Sequence, residues 1–218
     1  MSITTLVFDL DGTLLNTLED LTDSVNYALS TCGYPLRTLE EIKSFVGNGV
    51  EVLMSLAVPS GTSKEDCLEC LEIYRGHYSL NLQNKTKPYD GILPMLHRLK
   101  EEGYRLAIVS NKYDTAVKAL CEDYYSDYIT IAIGESKGVN KKPAPDSVYR
   151  ALELLSSSAE ESIYIGDSEV DVLTAHNSGL KCIGVTWGFR DRSVLESKGA
   201  DYIIDRPEEL FEIIARNN

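Results

Sequence analysis

The chain is short of positive charge: 21 Lys and Arg stand against 34 Asp and Glu, for a formal net charge of −13 over 218 residues. So acidic a balance argues against a nucleic-acid surface or a polybasic membrane patch, and favours a small, soluble cytosolic protein. It also sets a condition. If the ligand is an anion, metal, Lys and backbone N–H groups must overcome that charge locally. Long hydrophobic runs are missing too. None approaches the roughly 20 apolar residues of a membrane span, and the N-terminus enters a strand without a signal-peptide pattern. Cysteine is sparse: the five thiols are odd in number and scattered, which fits reduced thiols in a cytosolic protein. Cys67 and Cys70 form a CxxC pair inside a helical stretch. No second Cys or His pair is spaced to complete a zinc site, so the pair reads as helix packing. His77, His97 and His176 are isolated and gain no chemical role from their neighbours. No internal repeat or low-complexity segment is present.

What the chain does have is a hydrophobic content of 43%, enough for a substantial core in one domain or two. Near its start stands Asp9-Leu10-Asp11-Gly12-Thr13, directly after the apolar run Leu6-Val7-Phe8. The run reads as the end of a buried strand that turn residues stop at Gly12. Side chains two apart on a strand share a face, so Asp9 and Asp11 emerge close together. Neighbouring carboxylates resist joint ionisation unless a cation lies between them, and Mg²⁺ would supply that charge. One carboxylate is then free to act as nucleophile while the other handles protons. The competing structural reading is an acidic turn in which Asp11 caps the following helix.

After Thr13 the pattern turns helical for a long way. Thr17 opens a capping box with Asp20, and Leu18, Leu21, Val25 and Leu29 follow at near-helical spacing until Gly33. Thr38 with Glu41 repeats the signal and leads to Gly47-Asn48-Gly49; Val50, Leu53, Met54 and Ala57 then carry a short helix. Ser63 caps a longer one that runs towards Leu82. Nothing from about Asn16 to Gln83 reads as a strong strand, so residues 16–83 are expected to form an all-helical insert. From Pro88 onward helices and apolar strands alternate. Helix Pro94–Glu102 is followed by strands at Tyr104–Val109, Ile129–Ile133, Ser162–Ile165, Cys182–Val185 and Tyr202–Ile204. The expected fold is α/β: a Rossmann-like parallel-sheet core from residues 1–15 and 84–218, with ligands beyond the carboxyl ends of its strands.

Three further segments fall at such ends. Ile108-Val109 runs into Ser110-Asn111-Lys112, which offers a hydroxyl and backbone N–H groups, or else an ordinary N-cap at Ser110. Lys141-Lys142-Pro143-Ala144-Pro145-Asp146 presents a lysine just before a helix start, with Pro143 biasing Lys142 towards an extended backbone. A held lysine can neutralise phosphate charge. Ile163-Tyr164-Ile165 delivers Asp167, with Asp171 one helical turn later. Acids at a helix start also suit its dipole. With Asp9 and Asp11, however, Asp167 makes a plausible partial oxygen cage for a hard cation.

In this order the four segments resemble the DxDGT, Ser/Thr, Lys and GDSxxD motifs of the haloacid-dehalogenase superfamily of phosphohydrolases, over essentially the whole chain. The helical insert resembles the cap of one large branch. Within it, Phe45-Val46-Gly47-Asn48-Gly49 followed by Val50-Glu51-Val52-Leu53-Met54 is similar to phosphoglycolate phosphatases, as are Lys142-Pro143-Ala144-Pro145-Asp146 and Thr186-Trp187-Gly188-Phe189.

The resemblance implies Asp9 as nucleophile and Asp11 as general acid/base. It implies Mg²⁺ held by Asp9, Asp167 and the Asp11 carbonyl, with Asp171 supporting from outside. Ser110 and Lys142 would bind the transferring phosphoryl group, with Gly12, Thr13 and Asn111 beside them and Gly47, Asn48 and Gly49 contributing from the cap. Asn16 stands where many relatives carry Asp, near the cap hinge. The implied activity is hydrolysis of a small phosphorylated metabolite, 2-phosphoglycolate first, through an aspartyl-phosphate, in the cytoplasm. Pyrophosphate, other small phosphates and phosphomutase chemistry are the alternatives within the superfamily. A dehalogenase usually lacks the second acid, present here as Asp11. A non-catalytic phosphometabolite-binding protein would be expected to lose a catalytic acid or the motif lysine, and both are present.

Overall fold

The structure, a computed structural model, describes residues 2–217. The chain divides into two compact units, one made of the residues up to Leu15 and from Pro88 onward, the other of Asn16–Lys87.

In the first unit, β1 (Thr5–Phe8) is buried along its whole length, as expected of a parallel strand covered on both faces. The chain leaves this unit at β2 (Leu15–Asn16). The second unit holds α1 (Leu18–Thr31), α2 (Leu39–Phe45), α3 (Val50–Ala57) and α4 (Lys64–Asn81). The chain returns at β3 (Lys87–Pro88), which pairs with β2 in a two-stranded sheet. There follow α5 (Ile92–Glu101), β4 (Arg105–Tyr113), α6 (Asp114–Tyr125), β5 (Ile131–Glu135) and α7 (Asp146–Leu155). Then come β6 (Ser162–Gly166), α8 (Glu169–Asn177), β7 (Lys181–Val185), α9 (Arg192–Ser197), β8 (Tyr202–Ile204) and α10 (Leu210–Asn217). The large sheet has six strands in the order β5-β4-β1-β6-β7-β8, and its paired strands run parallel. Strand order therefore reverses at β1. The crevice beyond its carboxyl end, between β4 and β6, is the switch point where such sheets take ligands. Beneath it Val7, Ala107, Val109 and Tyr164 pack with Val148, Ala151 and Leu152 of α7 and Val172 and Ala175 of α8. No helix among the described residues is long and apolar enough to cross a membrane.

Most strands fall where the apolar runs put them, with one consequential difference. β4 does not stop at Val109; it runs on through Ser110, Asn111 and Lys112 to Tyr113, and α6 starts at Asp114. Ser110 is therefore not a helix cap. Gly134 on β5 permits the extension. A Cβ there would lie 2.5 Å from the Asp114 Cα and 2.7 Å from the Lys112 carbonyl, so the neighbouring backbone closes in only because it is absent. The Gly134 N–H donates to the Asp114 carboxylate at 3.0 Å, and pairing shifts register between Val109 and Tyr113. β5 itself lies two residues later than its apolar run suggests, and α5 begins at Ile92, with Pro94 inside its first turn.

Within the helical unit the capping box of Thr38 and Glu41 is present, and Ser63 accepts from the Asp66 N–H at 3.0 Å. The box expected at Thr17 and Asp20 is not formed. The buried Asp20 carboxylate instead accepts from the N–H groups of Lys85, at 3.0 Å, and Thr86, at 2.8 Å. A partner 65 residues away in sequence leaves no local signal. His77 stacks on Tyr27 with ring centroids 4.1 Å apart and meets the Ser24 hydroxyl at 3.0 Å, which ties α4 to α1. All five cysteines are free thiols, and burial pushes the Cys70 thiol up to about 12.

Candidate active site

After β1 the chain makes a tight loop around one carbonyl. Leu10 O accepts from the N–H groups of Thr13, Leu14 and Leu15, and Gly12 N–H closes the loop on Leu15 O at 2.9 Å. Leu10 is buried, while Asp9 and Asp11 flank it and reach a different set of partners. Gly12 has φ +89°, and a Cβ there would lie 2.4 to 2.8 Å from the Asp167 carboxylate. Only glycine combines that backbone with so close an approach.

Three strand ends meet here. β1 delivers Asp9 and Asp11, β4 delivers Ser110, Asn111 and Lys112, and β6 delivers Asp167, with Asp171 on the first turn of α8. The loop before α7 brings Lys142. Its ammonium lies 2.8 Å from Asp9 Oδ1, 2.7 Å from Asp171 Oδ1 and 3.0 Å from the Tyr164 hydroxyl, all buried. Asp171 is held on its other oxygen by the Ser168 N–H at 3.0 Å and hydroxyl at 2.6 Å. Both of its oxygens are thus engaged, which makes it the anchor of Lys142. Asp9 Oδ1, by contrast, has the ion pair with Lys142 and no hydrogen bond. Asp167 accepts from the Thr13 hydroxyl at 3.2 Å and from the Phe189 N–H at 2.7 Å. Oxygen atoms of Asp9, Asp167 and Asp171 lie within 4.8 Å of one another.

The charges do not balance in this group. Three buried carboxylates share one ammonium. Burial, then the charge of Asp171, raises Asp9 to about 7, with Lys142 opposing. Burial followed by Asp171 and Asp9 lifts Asp167 well above the carboxylate range, against the Phe189 N–H and Lys142. Burial works against the charge of Lys142, yet Asp171 and Asp9 hold it well above the usual lysine value. An under-neutralised set of carboxylate oxygens, one of them without a hydrogen bond, fits a hard cation that takes oxygen ligands.

Other expected residues fall into place differently. The Asn111 side chain is engaged with the Lys142 main chain: Oδ1 accepts its N–H at 2.8 Å, and Nδ2 donates to its carbonyl at 3.0 Å. The amide thus fixes the lysine. Ser110 accepts from the Lys112 N–H at 3.3 Å. Gly47, Asn48 and Gly49 belong to the helical unit, where Gly49 is the N-cap of α3 with φ +85°. Asp11 is not among the clustered carboxylates. Its two oxygens each lie 2.9 Å from the ammonium of Lys112, a residue the sequence reading did not single out. Alternation from Ser110 is the signal that could have found it, once β4 is allowed to continue. The Thr186–Phe189 segment was noted only as family-like, yet it braces the site: the Trp187 indole donates to Thr13 O at 2.9 Å and Phe189 holds Asp167.

Several known proteins are similar to this chain. Phosphoglycolate phosphatase of Mesorhizobium japonicum is 32% identical over 200 residues, covering 90% of this chain and 88% of that one. Pyrophosphatase PpaX of Bacillus mycoides is 29% identical over 222 residues and covers both chains completely. Among solved structures, a protein from Lactobacillus delbrueckii subsp. bulgaricus superposes with a TM-score of 0.93 at 36% identity, covering 98% of this chain and 99% of its own. The family model of haloacid dehalogenase-like hydrolases matches residues 6–185, a span that takes in all four site acids and both buried lysines, and the chain belongs to that family.

Proposed function

We propose that this chain is a phosphatase that hydrolyses a small phosphomonoester, with 2-phosphoglycolate as its first substrate. The observation that carries the reading is the buried set of carboxylates in which Asp9 meets Lys142 at 2.8 Å while Asp11, two residues on, stands outside the cluster. Two acids from one loop have thereby been given different surroundings, as nucleophile and proton carrier require.

In this reading Asp9 attacks phosphorus in line, and the ester oxygen departs with a proton from Asp11. Asp11 then takes a proton from water, whose oxygen attacks the aspartyl-phosphate, breaks its P–O bond to Asp9 and releases inorganic phosphate. Lys142, held by Asp171 and by Asn111, neutralises the equatorial oxygens, and Ser110 donates to one of them. Asp9, Asp167 and the Asp11 carbonyl would hold Mg²⁺, which supplies charge neutralisation of the phosphoryl group when bound. Asp167 is kept in register for this by Thr13 and Phe189. The helical unit is the cap, the part that selects the rest of the substrate.

The phosphoglycolate phosphatase of Mesorhizobium japonicum supports 2-phosphoglycolate. The match of pyrophosphatase PpaX over the whole of both chains keeps pyrophosphate as the second reading. The test is kcat/KM for 2-phosphoglycolate, pyrophosphate and a hexose phosphate at saturating Mg²⁺, with 2-phosphoglycolate expected to lead. If pyrophosphate leads, the substrate changes and the phosphatase stands. If none is hydrolysed, the reading fails.

A further inference from the structure

Tyr164 lies within β6, paired between Val7 of β1 and Cys182 of β7, and is wholly buried. Its ring packs in the core with Val148 and Ala151 of α7 and Val172 of α8, a setting that asks only for an apolar side chain. A phenol there brings one oxygen that has to be partnered away from water. That oxygen reaches the site. It accepts from the Lys142 ammonium at 3.0 Å, and its own proton has the Asp171 carboxylate at 3.2 Å and the Val109 carbonyl at 3.4 Å as acceptors. The shortest of the three contacts is the one to Lys142.

An ammonium has three protons, on a stem flexible enough to turn them in many directions. In Lys142 two are committed, one to Asp171 Oδ1 at 2.7 Å and one to Tyr164. Asp9 Oδ1 is 2.8 Å away but accepts no hydrogen bond, so its tie to the ammonium is one of charge. One hydrogen bond fixes a point and leaves rotation about it; a second fixes the orientation. We infer that Tyr164 is a positioning residue that, with Asp171, sets the orientation of the Lys142 ammonium and keeps its third proton for an oxygen of the transferring phosphoryl group. The inference rests on the phosphatase reading, in which that group arrives at Asp9. Without the phenol oxygen the ammonium can turn a proton onto Asp9 as well as Asp171. Asp9 is then hydrogen-bonded before the substrate comes, and the bond has to loosen as its oxygen joins phosphorus. The free enzyme gains an interaction that the transition state lacks, and the barrier rises.

The experiment compares wild-type protein with Tyr164→Phe, which removes the oxygen and keeps the ring, on 2-phosphoglycolate and on 4-nitrophenyl phosphate at saturating Mg²⁺. Orthovanadate, which mimics the five-coordinate phosphorus of transfer, supplies a second readout. Circular dichroism confirms that the variant is folded. Tyr164→Phe is expected to lower kcat/KM at least ~10-fold on both esters alike, with part of the loss in kcat, because the phosphoryl oxygens are common to them. The vanadate inhibition constant should rise by a similar factor. Wild-type kinetics in Tyr164→Phe, with or without a lower urea midpoint, overturn the inference and leave the phosphatase reading intact, since the phenol then only fills the core. A loss confined to one ester also overturns it, because the effect then lies on the leaving group; so does lost turnover with unchanged vanadate inhibition. If Tyr164→Phe does not fold, Tyr164→Met, which also lacks the oxygen, is measured in its place against the same outcomes. No hydrolysis of either ester by wild type overturns the inference and the phosphatase reading together.

Discussion

Asp9 is a carboxylate in a place where its charge is disfavoured, and that has consequences measurable without any substrate. Its value near 7 in the folded chain, against 3.8 for an ordinary aspartate, means that folding favours the protonated form. The stabilisation is therefore fully present below about pH 4 and is lost as pH rises towards 7. In metal-free protein, Asp9→Asn should match wild type in melting temperature near pH 4, exceed it increasingly up to about pH 7, and keep a constant lead above that. Two melting curves that keep a constant separation from about pH 4 to about pH 7 would contradict the assignment. The same substitution should lower turnover at least ~1,000-fold, since Asn cannot form the acyl-phosphate. Asn111 makes a different prediction. Its amide pairs with both the main-chain N–H and the main-chain carbonyl of Lys142, so Asn111→Ala should destabilise the fold by about 2 kcal/mol in urea titration. It should also raise KM for phosphomonoesters through the loosened lysine. A stable variant with wild-type KM would show that Lys142 holds its place unaided.

At the scale of elements, the sequence is legible where the signal is local. The apolar runs of β1, β6, β7 and β8 and the Thr38–Glu41 box declare themselves because neighbours a few residues apart generate the pattern. The placement of Asp9, Asp11 and Asp167 was readable for the same reason, as acids that follow the apolar strands β1 and β6. Long-range partners were not. Asp20 caps nothing in α1 because Lys85 and Thr86 claim its carboxylate. β4 outruns its apolar segment because Gly134, on the neighbouring strand, leaves room for the Lys112 and Asp114 backbone. That extension hid Lys112. The prediction belongs to the element: Gly134→Val should push β4 and β5 apart and cost about 2 kcal/mol or more of stability. Because the displaced segment carries Ser110 and Lys112, turnover should fall along with it. Gly134→Val with unchanged urea midpoint and activity would show that the two strands tolerate the methyls.

For the whole molecule the governing fact is charge. In a chain of net charge −13, two buried lysines oppose four carboxylates at the switch point of its sheet. Such a site is unfavourable in an empty protein and gains from a cation. Saturating Mg²⁺ should raise the melting temperature more at pH 8 than at pH 5, and excess chelator should abolish turnover; full activity in chelator would refute the metal-assisted reading. The central claim, that Asp9 carries the phosphoryl group in transit, has a more direct test. Protein mixed with 2-phosphoglycolate and Mg²⁺, quenched in acid within one turnover and digested, should yield one phosphorylated peptide, with fragmentation placing the phosphate on Asp9. Phosphate found on another residue, or an Asp9 peptide that stays unmodified while inorganic phosphate is released in the same turnover, would contradict the account.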